Sequence, residues 1–141
     1  MRLRAMVLCG LVAVAGRATA QTPQDTSALP PQEVGTIAMG QTRSGLLEAG
    51  DYTMGDGTWA DIWYVQVAAG QRFVVELRSR SFDAYLQLLD PWGGRLAEDD
   101  DGAGSGDARI THQAREQGRY QVVVNNFGDT PQAGAYTLNV R

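Results

Sequence analysis

The chain has 141 residues, and its 12 basic residues, all Arg, face 16 Asp and Glu for a formal net charge of −4. That balance argues against a nucleic-acid partner, because phosphate binding needs clustered positive charge. A single Cys excludes an internal disulfide or a cysteine-based zinc site. The length is one domain's worth, on a prior of roughly 100–200 residues per domain.

Met1–Ala20 has the layout of a secretory signal peptide. Arg2 and Arg4 make a positive start, Ala5–Gly16 is apolar, and Ala18, Thr19 and Ala20 are small residues before a cut. The apolar run is too short to span a bilayer, which needs about 20 residues. Leu8 precedes Cys9, where a lipidated Cys would follow a small residue, and no Arg-Arg pair marks a twin-Arg route. Cleavage after Ala20 would remove Cys9 and three arginines, leaving a more acidic chain that is secreted or periplasmic. Residues 21–33 carry Pro23, Pro30 and Pro31 among Gln, Thr and Ser, and read as a flexible leader. The domain proper is expected over residues 34–141, with no later segment apolar enough to span a membrane.

From there the hydrophobic period is two. Trp63, Val65 and Val67 alternate with Tyr64 and Gln66, and Phe73, Val75 and Leu77 alternate with Val74, Glu76 and Arg78. Leu86 with Leu88, Ile110 with His112 and Ala114, Tyr120 with Val122 and Val124, and Tyr136 with Leu138 and Val140 continue the pattern. Side chains two apart share one strand face, so each run predicts a half-buried strand. Turn signals separate them: Ala69-Gly70, Asp90-Pro91-Trp92-Gly93-Gly94, Asp101-Gly102, Gln117-Gly118 and Ala133-Gly134. About eight short strands without a long helix predict an all-β, antiparallel sandwich. Bulky inward faces favour two sheets packed about 10 Å apart over a barrel.

Gly45-Leu46-Leu47-Glu48-Ala49-Gly50-Asp51, Asp61-Ile62-Trp63-Tyr64-Val65 and Ser81-Phe82-Asp83-Ala84-Tyr85-Leu86-Gln87-Leu88 follow one another in order. So do Asp90-Pro91, Leu96-Ala97, Asp100-Asp101-Gly102, Gly118-Arg119-Tyr120 and Gly134-Ala135-Tyr136-Thr137-Leu138. This ordered set resembles the bacterial pre-peptidase C-terminal domain family. The resemblance implies a jelly-roll-like β-sandwich, usually appended to secreted peptidases as an accessory module. It also implies, for some members, Ca²⁺ held by an acidic leader and carboxylates near the Asp61 position. This leader offers only Asp25 and Glu33, and Gly57-Thr58 stands where further acids would be expected.

No catalytic constellation is legible. His112 is the one His and falls on an inward parity, which reads as a partly buried, hydrogen-bonded structural residue. Gly102-Ala103-Gly104-Ser105-Gly106 misses the nucleophile elbow, because Ala103 occupies its first Gly position. Asp99, Asp100, Asp101 and Asp107 are hard oxygen ligands of the kind Ca²⁺ takes, though without EF-hand spacing, and a solvated polar turn is the other reading. Asp61 and Asp83 read as turn or strand-end hydrogen-bonders. Trp63 reads as core. Trp92 in its tight turn, Tyr64 on the outward parity, and Trp59 in a Gly-rich loop before that strand are candidate ligand contacts, or else pack on the sandwich rims. The expected function is a non-catalytic binding or accessory module attaching to an extracellular protein or polysaccharide. The alternative is a Ca²⁺-assisted structural or folding aid for a separately encoded secreted hydrolase.

Overall fold

The computed structural model describes residues 33–141. The signal-peptide segment and all but the last residue of the leader lie outside the described residues. Ten strands run in chain order: β1 (Glu33–Thr36), β2 (Thr42–Leu47), β3 (Tyr52–Thr53), β4 (Trp59–Val67) and β5 (Arg72–Ser79) come first. They are followed by β6 (Ala84–Leu89), β7 (Arg95–Asp99), β8 (Ala108–Gln113), β9 (Gly118–Asn126) and β10 (Gly134–Val140). The first sheet has the order β1-β4-β9-β6-β7 with β3 also on β4, and the second has the order β2-β10-β5-β8. From β4 onward the chain passes repeatedly between the two sheets, so alternating strands meet across one core.

Two details depart from the sequence expectation. The described residues form ten strands rather than eight, because β3 has two residues and β7 reads Arg-Leu-Ala-Glu-Asp, too short or too charged for a period-two signal. One pairing is also parallel: β1 enters beside β4 with Gly35 opposite Trp63. The other pairings among the described residues are antiparallel, including Trp63↔Val122 and Leu138↔Leu77.

The inward parity builds the core. Val65, Phe73, Val75, Leu77, Leu86, Leu88, Val122, Val124, Leu138 and Val140 are all buried. Each such side chain removed from water contributes about 1.5–3 kcal/mol before entropy is counted. The Phe73 ring meets Tyr120 edge-on at 5.9 Å, and Phe82 meets Tyr136 edge-on at 6.4 Å. Both pairs use the edge-to-face geometry that the ring quadrupoles favour. Gly45 lies directly across the ladder from Tyr136, where a Cβ would stand 2.2 Å from the phenol ring. A bare backbone here is what lets the ring lie flat on β2.

Candidate functional site

The β6–β7 hairpin ends in a braced turn. Asp90 Oδ1 accepts hydrogen bonds from the backbone N–H of Trp92 (2.9 Å) and Gly94 (2.8 Å), while Asp90 N donates to Gly94 O at 2.8 Å. Gly93 supplies the left-handed conformation (φ 90°) that closes the loop. Trp92 is thus held on a rigid tip and is 73% exposed.

Tyr64 lies on the outer face of the six-stranded sheet, with the Arg119 guanidinium 3.7 Å from its ring centroid. The cation sits over the negative face of the ring, which is the favourable arrangement. Tyr64 shares a cross-strand row with Gln121 and Leu89, and Leu89 leads directly into the Trp92 turn. Ile62, Ala60 and Val123 form a buried apolar cluster on this same outer face, flanked by Tyr64, Leu89 and Met54. The apolar outer parity of Asp61-Ile62-Trp63-Tyr64 and of Val122-Val123-Val124 is the sequence signal for it.

Trp59 is placed differently from the sequence reading. It is the first residue of β4, paired with Thr53, rather than part of a loop. Its parity is that of Trp63, so it belongs to the inner face at the end of β4 remote from the Trp92 turn. Tyr64 and Trp92 therefore share one half of the sheet, and Trp59 does not join them.

Asp99, Asp100 and Asp101 each offer a carboxylate oxygen within 4.8 Å of the others. Asp107 stands apart from the trio, because the Gly-rich loop has carried the chain toward the second sheet, where Asp107 Oδ1 accepts from Ser79 N at 3.3 Å. Asp99 Oδ2 accepts from Gly102 N (2.7 Å) and Arg109 N (2.8 Å), so that oxygen already fastens the loop. Ca²⁺ takes six to eight oxygens. The trio has the right donor chemistry but supplies about half that shell. Exchanging chelator for about 5 mM Ca²⁺ is expected to move the melting temperature by less than about 2 °C, as for weak binding. A rise of ten degrees or more in the same melting experiment would make the ion part of the fold.

His112 is half-buried. Its imidazole meets Phe73 edge-on at 5.9 Å, and among the described residues it makes no side-chain hydrogen bond, contrary to the sequence expectation. Ring packing against Phe73 and Tyr120 holds it instead. No Ser or carboxylate among the described residues is hydrogen-bonded to it, so no nucleophile–base pair forms there. Ser105 lies in a loop, as read from the sequence.

Residues 60–141 match the model of the bacterial pre-peptidase C-terminal domain. The chain belongs to this family. Among solved structures, the pre-peptidase C-terminal domain of a Bacillus anthracis collagenase superposes with a TM-score of 0.60 at 18% identity, covering 80% of this chain and 100% of that one. Salmonella Typhimurium PliG, a periplasmic inhibitor of g-type lysozyme, gives 0.50 at 17% identity over 76% of this chain and 96% of its own. Aeromonas hydrophila PliG, also a periplasmic inhibitor of g-type lysozyme, gives 0.51 at 13% identity over 77% and 98%. These likenesses are likenesses of fold. Comparison with curated proteins gives no match.

The pre-peptidase C-terminal domain formed here keeps a polar knot around Asp61 in its interior. Asp61 sits inside β4 on the inward parity, not at a strand end, and is 4% exposed. Tyr136 Oη donates to Asp61 Oδ2 at 2.5 Å and accepts from Trp63 Nε1–H at 2.8 Å. Burial pushes the Asp61 carboxyl up to about 6 against the Tyr136 hydrogen bond, with the charges of Asp51 and Glu48 adding to the rise. The same burial, with the Asp61 hydrogen bond, holds the Tyr136 phenol protonated. Sequence parity places Asp61 beside Trp63, but nothing local points to Tyr136, 75 positions away.

Proposed function

We propose that this accessory β-sandwich module acts outside the cytoplasm as a non-catalytic binder of an extracellular protein or polysaccharide. The carrying observation is Trp92, a large aromatic side chain 73% exposed on a turn that hydrogen bonds hold rigid. A rigid exposed aromatic costs little entropy to immobilise, and such residues dominate binding energy at interfaces. Leu89 and Tyr64 extend the contact along the outer face of the six-stranded sheet. The shared fold of two periplasmic lysozyme inhibitors supports a role exerted by contact. The alternative, a Ca²⁺-assisted folding aid for a co-secreted hydrolase, draws on the Asp99–Asp101 cluster and on the collagenase domain of like fold.

The Trp92→Ala variant tests the reading against the polysaccharide and protein fractions of the host's growth medium, each immobilised separately. Its melting temperature is expected within about 2 °C of the parent, since exposed substitutions stay within about 0.5 kcal/mol. Its retention on the binding fraction is expected to fall about tenfold or more. Equal retention of variant and parent would remove Trp92 from the binding surface.

A further inference from the structure

The outer face of the four-stranded sheet gathers arginines. On its outward parity Arg72, Arg78 and Arg109 stand against Glu76 alone, and Arg141 follows directly on β10. On the six-stranded sheet Glu98 stands on the outward parity with Arg95 and Arg119, while Asp61 and Asp99 fall on the inward parity. On a chain of net charge −4, a face with an excess of arginine is a segregated feature.

Glu76 organises that face. It lies on the outer parity of β5 yet is 4% exposed, because three arginines close over it. Its Oε1 accepts from Arg109 Nε (2.8 Å) and Arg141 Nη2 (2.7 Å), and its Oε2 accepts from Arg78 Nη2 (3.2 Å). Arg141 chiefly, against the desolvation, and then Arg109 hold the Glu76 carboxyl down to about 2, so the clamp stays charged at any physiological pH. One side-chain carboxylate draws three guanidiniums together and leaves the side chains of this cluster net positive. The three side chains remain 60% (Arg78), 41% (Arg109) and 52% (Arg141) exposed. Arg109 commits only Nε to Glu76, so the flat edge of its fork is open to a second oxyanion.

The two cross-strand rows around the clamp carry hydroxyls and an amide. Ser44, Thr137 and Arg78 form one cross-strand row, and Thr42, Asn139, Glu76 and Arg109 form the next. Beside the first row an open groove of about 620 Å³ is lined by Ser44, Arg78, Arg80, Ser105 and Thr137, with Tyr136 in its wall and Asp107, whose Oδ1 is occupied by Ser79 N, as its one acid. Arg80 is exposed and has no ion pair among the described residues.

We infer that this arginine-braced face and groove bind an acidic polysaccharide whose repeating units carry carboxylates. Guanidinium forks pair with carboxylates, and Ser, Thr and Asn side chains match sugar hydroxyls. A peptide partner is disfavoured because the two rows carry no aromatic anchor of the kind that dominates protein interfaces, and Tyr136 in the groove wall is buried at 2% exposure. The inference rests on the binding-module reading and adds a surface on the sheet opposite Trp92.

The test is titration of the full chain at low salt with alginate, poly-L-glutamate and neutral dextran. Alginate is expected to bind with steep salt dependence and dextran not at all. The Arg78→Gln/Arg80→Gln variant, which leaves Glu76 paired to Arg109 and Arg141, is expected to lose about tenfold or more in alginate affinity at unchanged melting temperature. Arg95→Gln on the other sheet and Trp92→Ala are expected to bind alginate like the parent. No alginate binding, undiminished binding by the double variant, or tighter binding to poly-L-glutamate overturns the inference. Retention through Trp92 that survives such a failure keeps the module reading and removes this surface alone.

Discussion

Gly45→Ala is expected to cost the fold about 3 kcal/mol, at the upper end of what forcing atoms into a packed core usually costs. The new Cβ would stand 2.2 Å from both Cζ and Oη of Tyr136. Neither partner can retreat cheaply. The β2 backbone is fixed by its ladder to β10, with Gly45 directly opposite Tyr136. The ring is fixed from its far end, where Trp63 donates to its hydroxyl and the hydroxyl donates to Asp61. Tyr136→Phe separates the two contributions, since it keeps the ring but strands a buried carboxyl and a buried indole N–H, at about 1–3 kcal/mol. Urea denaturation measures both variants. A Gly45→Ala chain within about 0.5 kcal/mol of the parent, the range of an ordinary surface substitution, would show that β2 and the ring are not locked together.

The pH dependence of stability carries the second large effect. The Asp61 carboxyl titrates at about 6 in the folded chain, against an ordinary value of 3.8. Between those values the folded chain holds a proton that the unfolded chain has released, so stability falls as pH rises through the window. Above it the whole cost of a buried carboxylate is present, about 2–3 kcal/mol, since each pH unit separating the two values corresponds to roughly 1.4 kcal/mol. Glu76 acts in the opposite sense. Its folded value of about 2 lies below the ordinary 4.5, so its ion pairs stabilise fully above about pH 4.5 and are lost as pH falls toward 2. The two together place maximum stability near pH 4.5, with a decline toward about pH 6.5 and little change beyond. Asp61→Asn keeps an acceptor for Tyr136 without the charge. It is expected to abolish the decline above about pH 4.5 and to raise the melting temperature at neutral pH by several degrees. A variant less stable than the parent at neutral pH would show instead that the Asp61 charge is compensated in the native protein.

The core is legible in the sequence because burial and parity coincide. Trp63, Val65, Val67, Phe73, Val75, Leu77, Tyr120, Val122, Val124, Tyr136, Leu138 and Val140 all alternate in sequence and all lie buried between the sheets. Legibility ends wherever partners are distant in the chain. Glu76 reads as a solvated strand residue, and only the fold brings Arg109 and Arg141 onto it from 33 and 65 positions away. The Asp61–Tyr136 bond is of the same kind. Trp59 departs from its sequence reading for a local reason: Asp56, Gly57 and Thr58 form a turn whose Asp56 carboxylate accepts from Thr58 N and Oγ1, and β4 begins immediately after it. The acidic run reads as a ligand set in sequence, whereas in the structure Asp99 is a loop fastener and Asp107 belongs to the β5 end of the other sheet.

The proposed function, contact without turnover, requires the domain to retain its partner intact. Labelled polymer and protein fractions from the host's medium, incubated with the immobilised chain, read both outcomes at once through retained and released label. Saturable retention of intact material, with no small labelled fragments accumulating over time, is the expected result. Steady release of fragments in proportion to the amount of protein would contradict it, and so would a complete absence of retention from every fraction.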